Sequence, residues 1–83
     1  MRGAIAVERV LGVVGELDGS GGASIRQVAW ELSVEESRVA HAWEQAVNDG
    51  LIKIAGRDPA LDHELWRLTP GGWSVLSAAR QRR

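Results

Sequence analysis

The stretch SIRQVAWELSVEESRVAHAWEQAVNDGL, residues 24–51, carries two apolar stripes of helical period with almost nothing between them. Ile25, Val28, Ala29 and Leu32 fall at i, i+3, i+4 and i+7, one face of a helix over 24–32. Ser24 stands just before them as an N-cap. Val39, Ala42, Trp43 and Ala46 repeat the spacing in a third helix expected over 34–49. Asn48-Asp49-Gly50 stops that helix, and Gly50 suits the left-handed position past its end. Only Ser33 and Val34, with Glu35 at most, separate the two faces. So short a link makes the helices cross steeply instead of running antiparallel, which is helix-turn-helix geometry. Ser33 admits two readings. Its backbone is left-handed, where a side chain costs about 1 kcal/mol, or it caps the third helix in a Ser33-Val34-Glu35-Glu36 capping box. Under either, Glu35 and Glu36 complement the positive end of the helix dipole.

Working outward, residues 4–17 read as a first helix, with Val7, Val10, Leu11, Val14 and Leu17 forming its stripe. Gly12 and Gly15 lie beside that stripe; either a neighbouring helix approaches closely there, or the second half frays. Asp18-Gly19-Ser20-Gly21-Gly22 is a connector, because a phosphate-binding loop needs a strand before it and GK[ST] opening a helix after it. Ile52–Ala55 and His63–Leu68 alternate as two strands within a β-wing at 51–69, with Ile52 and Ile54 sharing a face. Trp66 and Leu68 are expected to pack inward, with Lys53 and Arg67 outside. Gly56–Asp62 is the loop between the strands. Thr69 caps a last helix at 70–80, with Pro70 at its first position and Trp73, Leu76 and Ala79 on its inner face. Trp30 falls off the buried stripe; the sequence favours packing on the helix shoulder over exposure to a partner.

The run from Val28-Ala29 through Leu32, Val34, Val39, Trp43 and Ala46 to Gly50-Leu51-Ile52 resembles the winged helix-turn-helix of MarR-type and related bacterial and archaeal regulators. Leu68-Thr69-Pro70-Gly71-Gly72 is similar to the LT-x-x-G segment that closes the wing in that family. The likeness covers roughly residues 24–76. It implies an α+β, mainly α fold for residues 1–83: a three-helix core, a two-stranded β-wing and a C-terminal helix. It further implies that Ser37, Arg38, Ala40 and His41 match positions that enter the major groove, with Gln45 on the same outward face. Arg38 would read guanine, His41 a base or a phosphate, and Ser37 either. Lys53, Arg57 and Arg67 would face phosphates, Arg57 from the wing loop, although Asp58 and Asp62 dilute its charge. An exposed loop without a ligand is the competing reading. Residues 33–51 are also similar to the winged-helix extension of archaeal-type phenylalanyl-tRNA synthetase alpha subunits.

Composition bounds these readings. Eighty-three residues make one small domain, and 45% apolar residues suffice for a core whose bulk rests on four tryptophans, since Phe and Tyr are absent. With no cysteine there is neither a disulfide framework nor a thiolate site. Residues 1–7 carry too little charge and apolar length for a secretory signal, and no apolar run could span a bilayer. A cytoplasmic protein without a membrane partner is expected. Residues 1–50 hold four arginines and eight carboxylates, a net of −4, whereas residues 51–83 hold six basic and three acidic residues, a net of +3. Positive surface must therefore come from the wing and from the tail Arg80-Gln81-Arg82-Arg83, which is otherwise a solvated end. His41 and His63 lie on different elements without a cysteine partner, so no metal or other cofactor is expected, and no nucleophile–base set can be assembled. The expected function is a non-enzymatic regulator that binds double-stranded DNA, as a homodimer because one small module makes few contacts. Carboxylates at 35, 36 and 44 repel phosphate. The alternative is therefore a protein-interaction or RNA-accessory winged helix using its acidic third helix and an exposed tryptophan. A dimer has only short terminal helices or an exposed apolar patch to use.

Overall fold

The computed structural model describes residues 5–82, so Ala4 and the last arginine of the tail, Arg83, lie outside the described residues. Within them the first helix starts later than expected from 4–17, at Val7, because the backbone of Ala6 is extended (φ −72°, ψ 142°) and forms its cap. Helices α1 (Val7–Glu16), α2 (Ile25–Leu32) and α3 (Glu36–Asn48) are followed by strands β1 (Ile52–Asp58) and β2 (His63–Leu68) and by helix α4 (Pro70–Gln81). A short 3₁₀ turn at Asp18–Ser20 joins α1 to α2. The strands pair antiparallel. Ala23 adds a one-residue bridge to the open side of β2, where it exchanges both backbone bonds with Trp66, at 2.9 and 2.8 Å.

The two helices of the central stretch begin and end for local reasons. Ser24 accepts from the Gln27 N–H while the Gln27 side chain accepts from the Ser24 N–H, a reciprocal capping box at the start of α2. Ser33 ends α2 with φ 57° and ψ 42°, the left-handed conformation that favours glycine. Its N–H and that of Val34 return to the last carbonyls of α2. That geometry overturns the alternative in which Ser33 caps α3. The cap residue of α3 is Glu35, with no side-chain cap bond, and the helix starts at Glu36, two residues later than expected from 34–49. At the far end Gly50 takes φ 69° past Asp49, as the turn requires.

The apolar stripes converge on one core. Val10, Leu11 and Val14 of α1, Val28 of α2 and Val39 and Ala46 of α3 are wholly buried, and Ile52, Leu68 and Leu76 close the core from the hairpin and α4. The indole of Trp43 meets that of Trp66 edge to face, with centroids 5.7 Å apart and planes at 79°, and so ties α3 to β2. The two glycines of α1 separate cleanly. A Cβ on Gly15 would come within 3.3 Å of Leu68 and Trp73, so α4 and β2 do approach closely there, whereas Gly12 has open space around it.

Two expectations change. Trp30 is not packed on the helix shoulder: it is 82% exposed, on the side of α2 away from the buried Val28 and Ala29. The hairpin also runs further than the 52–55 strand, continuing to Asp58. A bulge between Ile54 and Gly56 resets the register so that Arg57 pairs with Glu64 and Asp58 with His63. Beyond the edge of the helical layer Ile54 is half exposed, while Ile52 on the same face is buried.

Candidate functional site

On α3 the buried set Val39, Ala42, Trp43 and Ala46 leaves the opposite face to solvent. Ser37, His41, Glu44 and Asn48 recur on it at i, i+4, i+7 and i+11, and all four are exposed. Ala40 is half buried on one flank of this strip, and the exposed Gln45 lies on the other. Arg38, also half buried, lines a shallow depression with Trp30, Ser33 and Glu35. His41 and Gln45 border a second depression against Ile5, Leu51 and Val75.

The hairpin places its cations in two different environments. Arg57 sits beside the start of α3, in a groove shared with Arg26, Glu36, Trp43 and His63. The turn beyond it is built by Asp58, whose carboxylate accepts from the N–H groups of Ala60 (2.9 Å) and Leu61 (3.3 Å), an Asx-type turn. Asp62, at φ 57°, closes the turn and pairs with Arg57. Across the same groove Arg26 lies 3.9 Å from Glu36. Both pairs are largely solvated, and such pairs are worth about 0–1 kcal/mol. A phosphate could therefore displace either carboxylate at small cost. Lys53 and Arg67 are cross-strand partners on the face opposite Ile52 and Leu68. The fold thus brings Arg57 to α3 but holds Lys53 and Arg67 on the outer side of the hairpin.

No family model matches the sequence, and no curated protein matches it significantly. Solved structures do match. The PcaV transcriptional regulator from Streptomyces coelicolor, solved in complex with its natural ligand, superposes on 86% of this chain with a TM-score of 0.68 and 26% identity. The MarR family transcription regulator SP03579 covers 96% at a TM-score of 0.69 and 23% identity. BpsR of Bordetella bronchiseptica, whose DNA binding is regulated by 6-hydroxynicotinic acid, covers 88% at 0.63 and 23%. The chain is a winged helix-turn-helix resembling the MarR-type regulators. It spans about half the length of these neighbours: 48%, 52% and 54% respectively.

In this winged helix, α2 and α3 are the helix-turn-helix and the β1–β2 hairpin is the wing. Reading the sequence missed two of its charged residues. Arg26 reaches the groove from the first turn of α2, and its only signal is a cation just after the Ser24 cap. Asp18 accepts two bonds from Arg67, at 2.9 and 2.8 Å, across 49 positions, and nothing local announces that pairing. The Arg67 hydrogen bonds and charge hold the Asp18 carboxyl below its ordinary range, against a smaller opposing push from desolvation. Because the folded pKa is depressed, the stabilisation is present above the ordinary carboxylate range and is lost as pH falls through the folded value. Asp18→Asn should therefore lower the melting temperature by a few degrees at neutral pH, as an exposed pair allows. The gap to wild type should close in acid, which paired thermal melts from neutral pH downward would measure. A gap that persists unchanged in acid would refute the pairing as its cause.

Among the described residues no group of three or more His, Cys, Asp or Glu side chains could hold a metal ion, and no helix is long and apolar enough to cross a membrane.

Proposed function

We propose that this protein is a DNA-binding, non-enzymatic transcriptional regulator of the cytoplasm, reading duplex DNA with α3 and touching phosphates with its wing. The observation that carries this reading is the solvent-facing strip of α3 lying beside the groove that holds Arg57 and Arg26. In such a docking Ser37 and His41 meet base edges or phosphates, Arg38 reads guanine, and Ala40 offers an apolar contact to a thymine methyl. Gln45 reaches the edge of the site from the far flank. Glu44 lies within the strip and favours a cytosine amino group over a phosphate, which makes the acidic helix selective instead of merely repulsive. Arg57 supplies the wing contact by exchanging Asp62 for a phosphate oxygen. From the outer face of the hairpin, Lys53 and Arg67 contribute attraction through space. The likeness to MarR-type regulators, which are transcriptional regulators, supports the reading.

The test is anisotropy of labelled mixed-sequence duplex DNA at about 50 mM and about 200 mM salt. Three phosphate contacts would weaken binding roughly 40-fold between these conditions. Arg57→Ala should weaken binding evenly across sequences and reduce the salt slope by about one. Arg38→Ala should cost about 1–3 kcal/mol on preferred sequences and relax the preference. Absence of binding by the wild type at the lower salt overturns the proposal.

A further inference from the structure

Strand β2 is held from three directions at Trp66 and Arg67. Inward, the Trp66 indole meets Trp43 of α3 edge to face. Along the edge of the strand, the Trp66 backbone exchanges both bonds with Ala23. On the opposite face, the Arg67 guanidinium lies side-on against the Asp18 carboxylate, with Nε 2.9 Å from Oδ1 and Nη2 2.8 Å from Oδ2. Asp18 and Ala23 are the two ends of one connector, and that connector is fixed to α1. The N–H groups of Ser20 and Gly22 both reach the Leu17 carbonyl, and that of Gly21 returns to Asp18. It also lies close against the strand, since a Cβ on Gly22 would come within 2.7 Å of the Trp66 carbonyl oxygen. A two-point contact between guanidinium and carboxylate fixes orientation as well as distance, and the Asp18 side chain is only 22% exposed. Asp18 further offsets a conflict within the hairpin. Lys53 and Arg67 are direct cross-strand partners, and like charges so placed destabilise the pairing.

We propose that Asp18 is a positioning residue for the wing: through Arg67 it fixes the tilt of the β1–β2 hairpin against α3, and with it the place of Arg57. The inference rests on the DNA reading for its consequence alone, because the tilt is set without DNA. It gives Arg67 a task separate from any attraction it exerts on phosphates at a distance. A pair that merely added stability would leave the angle between wing and α3 unchanged when broken.

Because the chain has no cysteine, Glu44→Cys on α3 and Ala60→Cys at the wing turn, both exposed positions, give two unique sites for spin labels. Double electron–electron resonance on the labelled full chain, without DNA, should give a narrow distance distribution. Asp18→Asn and Arg67→Ala should each broaden or displace it while circular dichroism shows the helices intact. Combining Asp18→Arg with Arg67→Asp reverses the pair and should restore the narrow distribution. Affinity for duplex DNA at about 50 mM salt should follow the same order, about 2–5-fold weaker in Asp18→Asn and recovered in the reversed pair. Glu16→Gln removes an exposed carboxylate two positions away and should not weaken binding. An undisturbed distribution in Asp18→Asn, no recovery in the reversed pair, or binding by Asp18→Asn as tight as by Glu16→Gln would each overturn the proposal. A wild type that binds no DNA overturns the function proposed above, while the distance distributions still decide whether Asp18 sets the wing.

Discussion

Replacing Gly72 by alanine is expected to destabilise the protein by about 2–3 kcal/mol, as overpacking at a fixed backbone contact does. Gly71→Ala, one residue earlier, should cause no loss and a gain of up to about 1 kcal/mol. The difference lies in what each Cβ would meet. At Gly72 it would sit 2.1 Å from the carbonyl oxygen of Leu51, a backbone atom that cannot step aside. That oxygen already accepts from the Thr69 N–H at 3.0 Å. At Gly71 the nearest neighbour is the Thr69 hydroxyl at 3.5 Å, an ordinary contact. Thr69 holds the joint from three directions: its hydroxyl accepts from the Gly72 N–H at 3.1 Å and donates to the Gly50 carbonyl, while its N–H reaches Leu51. The LT-x-x-G pattern is therefore a packing requirement. Thr69 clamps the exit of α3, and only glycine three residues later lets the start of α4 lie against it. Urea titrations of the two variants, read as shifts in midpoint at constant m-value, would check this; equal effects at the two positions would refute the account.

Trp43→Ala should be more damaging still, at about 3–5 kcal/mol. For a chain of this length the total stability is of order 5–10 kcal/mol, so the variant should be partly unfolded at 37 °C. Trp43 is 8% exposed, and truncation leaves a cavity between α3, α2 and the wing while removing the edge-to-face contact with Trp66. That contact contributes about 0.5–1.5 kcal/mol beyond area burial. Trp43→Phe should recover most of the loss by refilling the volume. Because the same indole orients the wing against α3, the DNA binding proposed above should fall in Trp43→Ala even under conditions where circular dichroism shows the helices intact. Thermal melts and DNA titrations of both variants would separate the two effects.

What could be read from the residues in order was whatever local chemistry decides. The spacing of Val39, Ala42, Trp43 and Ala46 placed the inner face of α3, and each of them is buried. Ser24 and Thr69-Pro70 marked helix starts because a cap is a contact within three residues, and both cap bonds are present. Ser33 left two readings open, and the return of its N–H and that of Val34 to the last carbonyls of α2 selects the left-handed one. The features missed depend on distant neighbours. Trp30 is exposed because the elements packed on α2 bury its Val28–Ala29 side, a fact absent from its own surroundings. The Arg67–Asp18 pair joins residues 49 positions apart. Of the charged residues assigned to phosphates, Arg57 lies beside α3, whereas Lys53 and Arg67 share the outer face of the hairpin because strand register alone sets that side.

The bulge in β1 has a bearing on how the molecule behaves when crowded. On one side β2 is covered by the bridge to Ala23, but β1 pairs only with β2 among the described residues, so its far edge is open to another chain. Open edges invite strand addition and fibre growth, and the half-exposed Ile54 would make this one sticky. The irregular step between Ile54 and Gly56 breaks the straight ladder that an incoming strand would need, and Lys53 and Arg57 put charge on either side of the break. The wing thus carries its own protection against edge-to-edge aggregation. Straightening it by deleting Ala55 would expose that hazard even if the hairpin still formed.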